Sequence, residues 1–428
     1  MGIVRVYIRT FGCTFNKFDS ELMEYALKSH NYQIVSSEKE ADVIIVNTCG
    51  VKKQTEDKII SYLKKIKPLR KRVIVTGCLP LINPGRIVRE TGFNEITGPS
   101  IGELIIDLIE QKTDPRTLLR NDLKPPLSRR CYNNSVIHIT PIAHGCIGSC
   151  SYCAVKLARG KLRSYSEDEI IQDIKTAVEF GAKEIWLTAQ DTGCYGIDIN
   201  TNLISLLEKV EQIKGTFKVR LGMCNPSSIY PYLDDLKEFF ERSEKFFYFL
   251  HIPVQSGSNR VLKLMNRKYQ ISQFEEIVQK MRSLDSKFTI VTDIIVGFPG
   301  ETDQDFEETV KLIKNVKPDM VNISKFFPRP GTKAAKMKQI PSQIIKNRSR
   351  LLTELCNQMA LERNKLWLGW RGEVIVDEYG KANSLVARNY AYKPIILFPS
   401  CDSLIGNFIN VKITEISYYW LRGDLITS

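Results

Sequence analysis

Three apolar runs near the N-terminus each end on a cysteine, and amphipathic segments separate them. The runs are IVRVYIRTFGC (3–13), ADVIIVNTCG (41–50) and KRVIVTGC (71–78), which carry Cys13, Cys49 and Cys78. Val4, Val6 and Ile8 alternate in the first run, whereas Val43 to Val46 are continuous in the second, the pattern of a strand covered on both faces. Between the runs, NKFDSELMEYALKSH places Phe18, Leu22, Tyr25 and Leu27 near helical spacing behind polar capping residues. TEDKIISYLKKIK does the same with Ile59, Ile60, Leu63 and Ile66. Strands alternating with helices imply parallel βαβ units in a three-layer α/β domain. Loops after the carboxyl ends of parallel strands gather on one edge, where ligands bind. The three thiols, distant in sequence, are therefore expected on one edge.

The compartment decides what such thiols do. No apolar run in the 428 residues approaches a bilayer span, and the N-terminus lacks the features of a secretory signal. A cytoplasmic monomer of two or three domains, with no membrane partner, is the expectation. In a reducing compartment the eleven cysteines do not form a disulfide framework, and clustered ones point to metal or redox chemistry. Cys131, Cys224, Cys356 and Cys401 stand alone and read as small apolar fillers.

The pattern divides the chain into four parts. Residues 1–118 form the α/β domain, and 119–134, rich in Pro, Arg and Asn, read as a linker. Residues 135–365 repeat strand and helix signals in number enough for a partial or full (β/α) barrel, whose site lies at the C-terminal face of its strands. Residues 341–365 end that region as one basic helix. Residues 366–428 switch to short strands between turns, the mark of a small OB-like β-barrel.

The net charge of +13 suits a polyanionic partner. Most of the excess lies in residues 311–370, where 13 Lys or Arg face 3 Asp or Glu. Residues 366–428 are neutral, with six of each sign. Phosphate contacts are therefore expected from 311–370, including Lys333, Lys336 and Lys338. Tyr390, Tyr392, Trp367 and Trp370 are expected to offer stacking surfaces to bases.

HGCIGSCSYC (144–153) carries the most specific chemistry. Cys146, Cys150 and Cys153 stand in C-x3-C-x2-C spacing just after the first barrel strand. Three thiolates can hold three irons of a [4Fe–4S] cube and leave the fourth open. A structural zinc would need a fourth ligand, and none stands at zinc spacing after Cys153.

With Tyr152 before its last cysteine, this loop resembles that of the radical S-adenosylmethionine (SAM) enzymes. The three upstream cysteines, Arg159 and Gly160 after the loop, HIPVQSGS (251–258), TDIIVGFPGET (292–302) and FFPRPGTKAAKM (326–337) resemble the methylthiotransferase family. The resemblance spans essentially the whole chain and includes a C-terminal module similar to the TRAM RNA-binding domain. It implies two [4Fe–4S] clusters, one on Cys146, Cys150 and Cys153 and one on Cys13, Cys49 and Cys78. It further implies SAM cleaved to a 5′-deoxyadenosyl radical, and a methylated sulfur delivered from the second cluster. EIWLTAQDTGCYGIDINTNL (184–203) and RLGMCNPSSI (220–229) look most like the archaeal and eukaryotic branch. That branch methylthiolates C2 of N6-threonylcarbamoyladenosine beside the tRNA anticodon.

On this resemblance, the SAM-binding residues are expected to be Tyr152, Arg220, His251, Gln255, Asp293 and Gly297. The partners implied are the tRNA anticodon stem-loop and an electron donor protein. Two positions depart from the family pattern: His144 stands where Thr is expected, and Cys194 where Ala is usual. His144 reads as a packing or hydrogen-bonding variant. Isopentenyladenosine tRNA and a ribosomal-protein aspartate are the alternative substrates. An iron–sulfur RNA-binding regulator without turnover is the alternative class.

Overall fold

The fold is that of a computed structural model, which describes residues 3–132 and 135–426. The chain divides into two compact units. The first comprises Met1–Asn133, Ile139–Tyr165 and Phe327–Lys336; the second comprises Asn134–His138, Ser166–Phe326 and Met337–Ser428.

The first unit is built on a four-stranded sheet in the order Gln33–Ile34, Arg5–Thr10, Val43–Thr48, Arg72–Gly77, all pairs parallel. Ile8 lies beside Ile45, and Val46 beside Val75. Every residue of Val43–Thr48 is buried, which is why this run is continuously apolar rather than alternating. Helix Thr14–Ser29 covers one face, setting Met23, Ala26 and Leu27 against Val6, Ile45 and Ile105. Helix Lys53–Ile66 covers the other, with Ile59, Ile60, Leu63 and Ile66 on Ile44, Val46 and Val75. Each such fully buried side chain is worth about 1.5–3 kcal/mol. Tyr25, expected on the buried stripe, is only half-buried, and Met23 and Ala26 take the apolar face instead. The connecting stretch packs on this unit. Arg130 is buried and donates to the Ile139 carbonyl at 2.6 Å.

The second unit holds parallel strands Glu184–Thr188, Lys218–Leu221, Phe249–His251, Thr289–Val296 and Met320–Lys325. Glu184–Thr188 pairs with Lys218–Leu221, and Thr289–Val296 lies between Phe249–His251 and Met320–Lys325. A bridge from Val219 to Phe246 connects the two groups. Helices separate the strands, and capping boxes at Ser166/Glu169 and Thr302/Asp305 start two of them. This is a partial (β/α) barrel. Period-two alternation gives its strands two different faces. Ile185, Leu187, Val219, Leu221, Leu250 and Ile252 are fully buried on the outer, helix-covered face. Trp186, Arg220, Phe249, His251 and Asp293 point to the inner one.

Strands Arg371–Tyr379, Leu385–Arg388, Pro394–Leu397, Phe408–Ile416 and Leu421–Leu425 close into a barrel around Val374, Val376, Ala387, Ile395, Val411 and Leu421. The four aromatics expected to stack on RNA do another job. Trp367 is fully buried, with Trp370 at 5.5 Å and Tyr390 at 5.6 Å from its ring. Tyr392 packs on Phe247 and Phe249 of the (β/α) barrel at 4.8 and 4.9 Å. They join the two modules because the small barrel has one apolar end to cover.

The basic window is also partly internal. Arg329, Arg348 and Arg363 are buried, paired with Glu56, with Glu301 and Asp303, and with Asp319. The exposed remainder includes Lys333, Lys336 and Lys338.

Candidate functional site

The edge bearing Cys13, Cys49 and Cys78 forms because their strands are adjacent and parallel. Cys13 caps helix Thr14–Ser29, Cys49 follows Val43–Thr48, and Cys78 opens helix Cys78–Ile82 directly after Gly77. Glycines let the three loops close together. A Cβ on Gly12 would lie 2.7 Å from Cβ of Cys49, and one on Gly77 would lie 2.3 Å from the Thr48 carbonyl oxygen. Cys13 is exposed, whereas Cys49 and Cys78 are buried. Burial raises the Cys49 thiol and pushes Cys78 up to about 12, while the nearby guanidinium of Arg159 opposes the shift at both. The Arg329 cation also favours the Cys49 thiolate.

The second cysteine loop folds back tightly within the same unit. Gly145 has φ +72°, and a Cβ there would meet the Lys161 carbonyl oxygen at 2.0 Å, so only glycine fits. The Gly148 amide donates to Sγ of Cys146 at 3.2 Å, and Lys156 Nζ donates to the Gly148 carbonyl at 2.6 Å. Cys146, Cys150 and Cys153 are each partly exposed, and Tyr152 is half-buried beside them. Burial raises the Cys153 thiol against the pull of the Lys156 backbone amide.

The two loops touch. Ala154 and Ala158, just past Cys153, pack with Cys78 and Ile82. Arg159, at the end of helix Val155–Arg159, is fully enclosed and donates to Asp19 at 2.6 Å, Asn16 at 3.0 Å and Ser100 at 3.1 Å. Burial opposes its charge, but Asp19, Cys78 and Cys13 outweigh that cost and hold it cationic. Segment 327–336 bridges the same two places. Arg329 pairs with Glu56 of the helix after Cys49, and the Ala334 amide donates to the Ser151 carbonyl at 2.9 Å. His144 is buried, hydrogen-bonded to the Tyr165 hydroxyl at 2.9 Å and edge-on to Phe15 at 4.7 Å. Arg159 and Arg329 were the residues whose part in this edge the sequence did not disclose. A buried arginine among apolar neighbours is the signal that marks them afterwards.

Among the described residues, no three His, Cys, Asp or Glu side chains converge closely enough to hold a single metal ion. A four-iron cube spaces its thiolates more widely than one ion does, and three cysteines per loop set match its donor requirement. The donor set present, three cysteines in each loop set, is the one a cube with one open iron takes.

On the inner face of the second unit, His251 Nε2 lies 3.0 Å from Oδ1 of Asp293, which also accepts from Asn322 Nδ2 at 2.8 Å. Gln255 adopts φ +66° and extends the sheet by a bridge to Ile294. Gly297 has φ +78°. Its missing Cβ makes room for Ile345 of helix Ser342–Lys365, at 2.4 Å from the position a Cβ would take, so packing requires a glycine here. Of the expected fillers, Cys224 and Cys356 are buried; Cys131 is half-buried and Cys401 is exposed beside the Ser403 hydroxyl. Cys194 is also buried, its thiol donating to the Asp191 carbonyl at 3.1 Å.

Residues 140–313 match the Radical SAM superfamily, and residues 5–98 match the Uncharacterized protein family UPF0004. A solved radical S-adenosylmethionine methyltransferase, TsrM from Kitasatospora setae, shares the fold at TM-score 0.57 and 12% identity, over 77% of this chain and 75% of that one. Fold and cysteine loop together define a radical SAM enzyme, a class that uses a [4Fe–4S] cluster and SAM. A probable threonylcarbamoyladenosine tRNA methylthiotransferase from Pyrococcus horikoshii is 41% identical over 432 residues, covering 99% of this chain and 100% of its own. The human threonylcarbamoyladenosine tRNA methylthiotransferase is 36% identical over 439 residues, covering 100% of this chain and 75% of its own. The chain belongs to the threonylcarbamoyladenosine tRNA methylthiotransferase family. These relatives do not favour the isopentenyladenosine, ribosomal-protein or regulator alternatives. No helix among the described residues is long and apolar enough to cross a membrane.

Proposed function

We propose that this chain methylthiolates C2 of N6-threonylcarbamoyladenosine beside the anticodon of tRNA, in the cytoplasm, using two [4Fe–4S] clusters. The observation that carries the two-cluster reading is the packing of two three-cysteine loop sets within one compact unit, Ala154 and Ala158 on Cys78 and Ile82. Cys146, Cys150 and Cys153 would hold the cluster that, with SAM bound, supplies a 5′-deoxyadenosyl radical. Cys13, Cys49 and Cys78 would hold the cluster that supplies the sulfur-bearing position.

The chain's own part is placement. Gly145 and Gly148 shape the SAM-cluster loop, and Gly12 and Gly77 let the other three cysteines approach one another. Arg159 ties the end of one loop to the helix that Cys13 caps. Tyr152 lies within the cluster loop, and His251 and Asp293 form a hydrogen-bonded pair on the inner face of the second unit. An adenosine in a single-stranded loop can be splayed out of its stack to enter a protein site. An electron donor protein supplies the reducing electron. Exposed lysines such as Lys333 and Lys336 would meet RNA phosphates.

Mass spectrometry of tRNA nucleosides from cells lacking the protein tests the substrate. The 2-methylthio derivative of threonylcarbamoyladenosine should vanish and return with the wild-type chain but not with Cys150→Ala. Its persistence in the deletion strain would sink the proposal.

A further inference from the structure

Two strands of the first unit turn from apolar to polar at their carboxyl ends. Ile44, Ile45 and Val46 lead into Asn47 and Thr48, and Ile74 and Val75 lead into Thr76, all of them buried. Asn16, in the first turn of helix Thr14–Ser29, is fully buried on the same edge. Its Nδ2 donates to the Thr48 carbonyl at 2.9 Å, to the Phe11 carbonyl at 3.0 Å and to Oδ1 of Asn47 at 3.3 Å. Asn47 returns a bond from Nδ2 to the Asn16 carbonyl at 2.8 Å. Thr48 carries the ladder onward, its Oγ1 donating to the Thr76 carbonyl at 2.6 Å, and Oγ1 of Thr76 donates to the Gly98 carbonyl at 2.8 Å.

Each link of this ladder lies beside a cysteine in the chain. Phe11 is two residues before Cys13, Thr48 directly precedes Cys49, and Thr76 is two residues before Cys78. The other end of the Asn16 carboxamide faces the second cysteine set. Its Oδ1 accepts from Nη2 of Arg159 at 3.0 Å, and Sγ of Cys13 lies 3.7 Å from it. Arg159 ends helix Val155–Arg159, which starts two residues after Cys153. A guanidinium only donates and a carbonyl only accepts, so neighbours on both sides fix which way this amide points.

Buried polar groups weaken a sheet unless each is paired, and apolar side chains would fill these strand ends without that demand. A fully paired polar ladder instead imposes one arrangement on the loops that it joins. Groups that orient the ligands of a metal centre govern how tightly the centre is held. We propose that Asn16 is a positioning residue for the cluster of Cys13, Cys49 and Cys78. It acts through the Phe11 and Thr48 carbonyls to set the spacing of Cys13 and Cys49, and Thr48 extends the hold to Cys78. The inference rests on the two-cluster reading above.

The test is made in full-length, anaerobically reconstituted Cys150→Ala protein, in which only the Cys13, Cys49 and Cys78 set is complete. Asn16→Asp keeps the size of the side chain and an oxygen toward Arg159, but sets an acceptor against the Phe11 and Thr48 carbonyls. Thr48→Val keeps the shape and deletes the bond to Thr76. The ferrous chelator bathophenanthroline should strip half the iron from the Asn16→Asp protein at about 10- to 100-fold lower concentration than from its parent. Thr48→Val should fall between the two, and the EPR line shape of the reduced cluster should change in Asn16→Asp. Urea unfolding of the iron-free proteins reads stability separately. Lower urea midpoints with chelator resistance and EPR line shape unchanged would make Asn16 a structural residue only and overturn the inference. Should Asn16→Asp fail to fold, Thr48→Val decides alone: parental chelator resistance overturns the inference, and reduced resistance supports it. A Cys150→Ala parent that holds no iron would refute the two-cluster reading and this inference with it. A parent with about four irons, unmoved by either substitution, would refute the inference alone.

Discussion

Arg159 shows how one side chain can serve two loops. Its donors reach Asp19, Asn16 and Ser100, and its carbon lies 4.6 Å from the Phe15 ring. Removing one partner of an enclosed ion pair strands the other charge, at a cost of about 3–5 kcal/mol. Arg159→Met should therefore lower stability by about that much in urea unfolding. Adding Asp19→Leu should recover most of the loss, because no charge is then left buried alone. A single variant within about 1 kcal/mol of wild type would show that Asp19 finds other partners.

At the scale of elements, the joint between the (β/α) barrel and the C-terminal barrel stores a proton. Glu184, on a barrel strand, faces Asp377, on strand Arg371–Tyr379, and both are buried with Arg388 as their nearby cation. Burial and then the facing Asp377 carboxylate push Glu184 up to about 8. Burial raises Asp377 as well. Between the ordinary carboxylate range and about 8, the folded chain holds a proton that the unfolded chain has released. Stability should fall as pH rises through that window, by at most about 1.4 kcal/mol per unit, and Glu184→Gln should flatten the slope. Urea midpoints from pH 5 to 8 measure this; parallel slopes for the two proteins would rule it out. A second element, the turn joining Phe408–Ile416 to Leu421–Leu425, carries exposed Tyr418, Tyr419 and Trp420. These, rather than Trp367 and Tyr392, are free to stack on bases. Trp420→Ala and Tyr419→Ala should each weaken stem-loop RNA binding by about 1–3 kcal/mol in titrations, whereas unchanged affinity would remove the turn from the interface. The reason the sequence pointed to the wrong aromatics is physical. Periodicity reports which face of an element is apolar, but whether Trp367 meets water depends on what another module lays over it. Burial narrows the charge window in the same way, since Arg329, Arg348 and Arg363 find their carboxylates on distant elements while Lys333, Lys336 and Lys338 stay exposed. The cysteines were legible because each follows a strand whose neighbours are fixed by local βαβ geometry.

For the whole molecule, chain order and spatial order differ in a way that matters for the chemistry. Ile139–Tyr165 and Phe327–Lys336 join the N-terminal residues in one unit, so thiols from positions 13 to 153 belong to one compact body. Two independent three-thiolate sets then predict separable iron. Anaerobically reconstituted wild type should hold about eight irons, and Cys49→Ala and Cys150→Ala about four each. The two variants should differ in what remains. Cys49→Ala should still cleave SAM reductively, because Cys146, Cys150 and Cys153 are intact, while Cys150→Ala should not. Neither should methylthiolate RNA, since each lacks one of the two centres. A Cys49→Ala protein that keeps about eight irons would place the second cluster elsewhere. One that loses all of its iron would mean that the contact of Ala154 and Ala158 with Cys78 and Ile82 makes the two loops fold as one. The iron count and the SAM-cleavage assay together distinguish two adjacent centres from a single interdependent one.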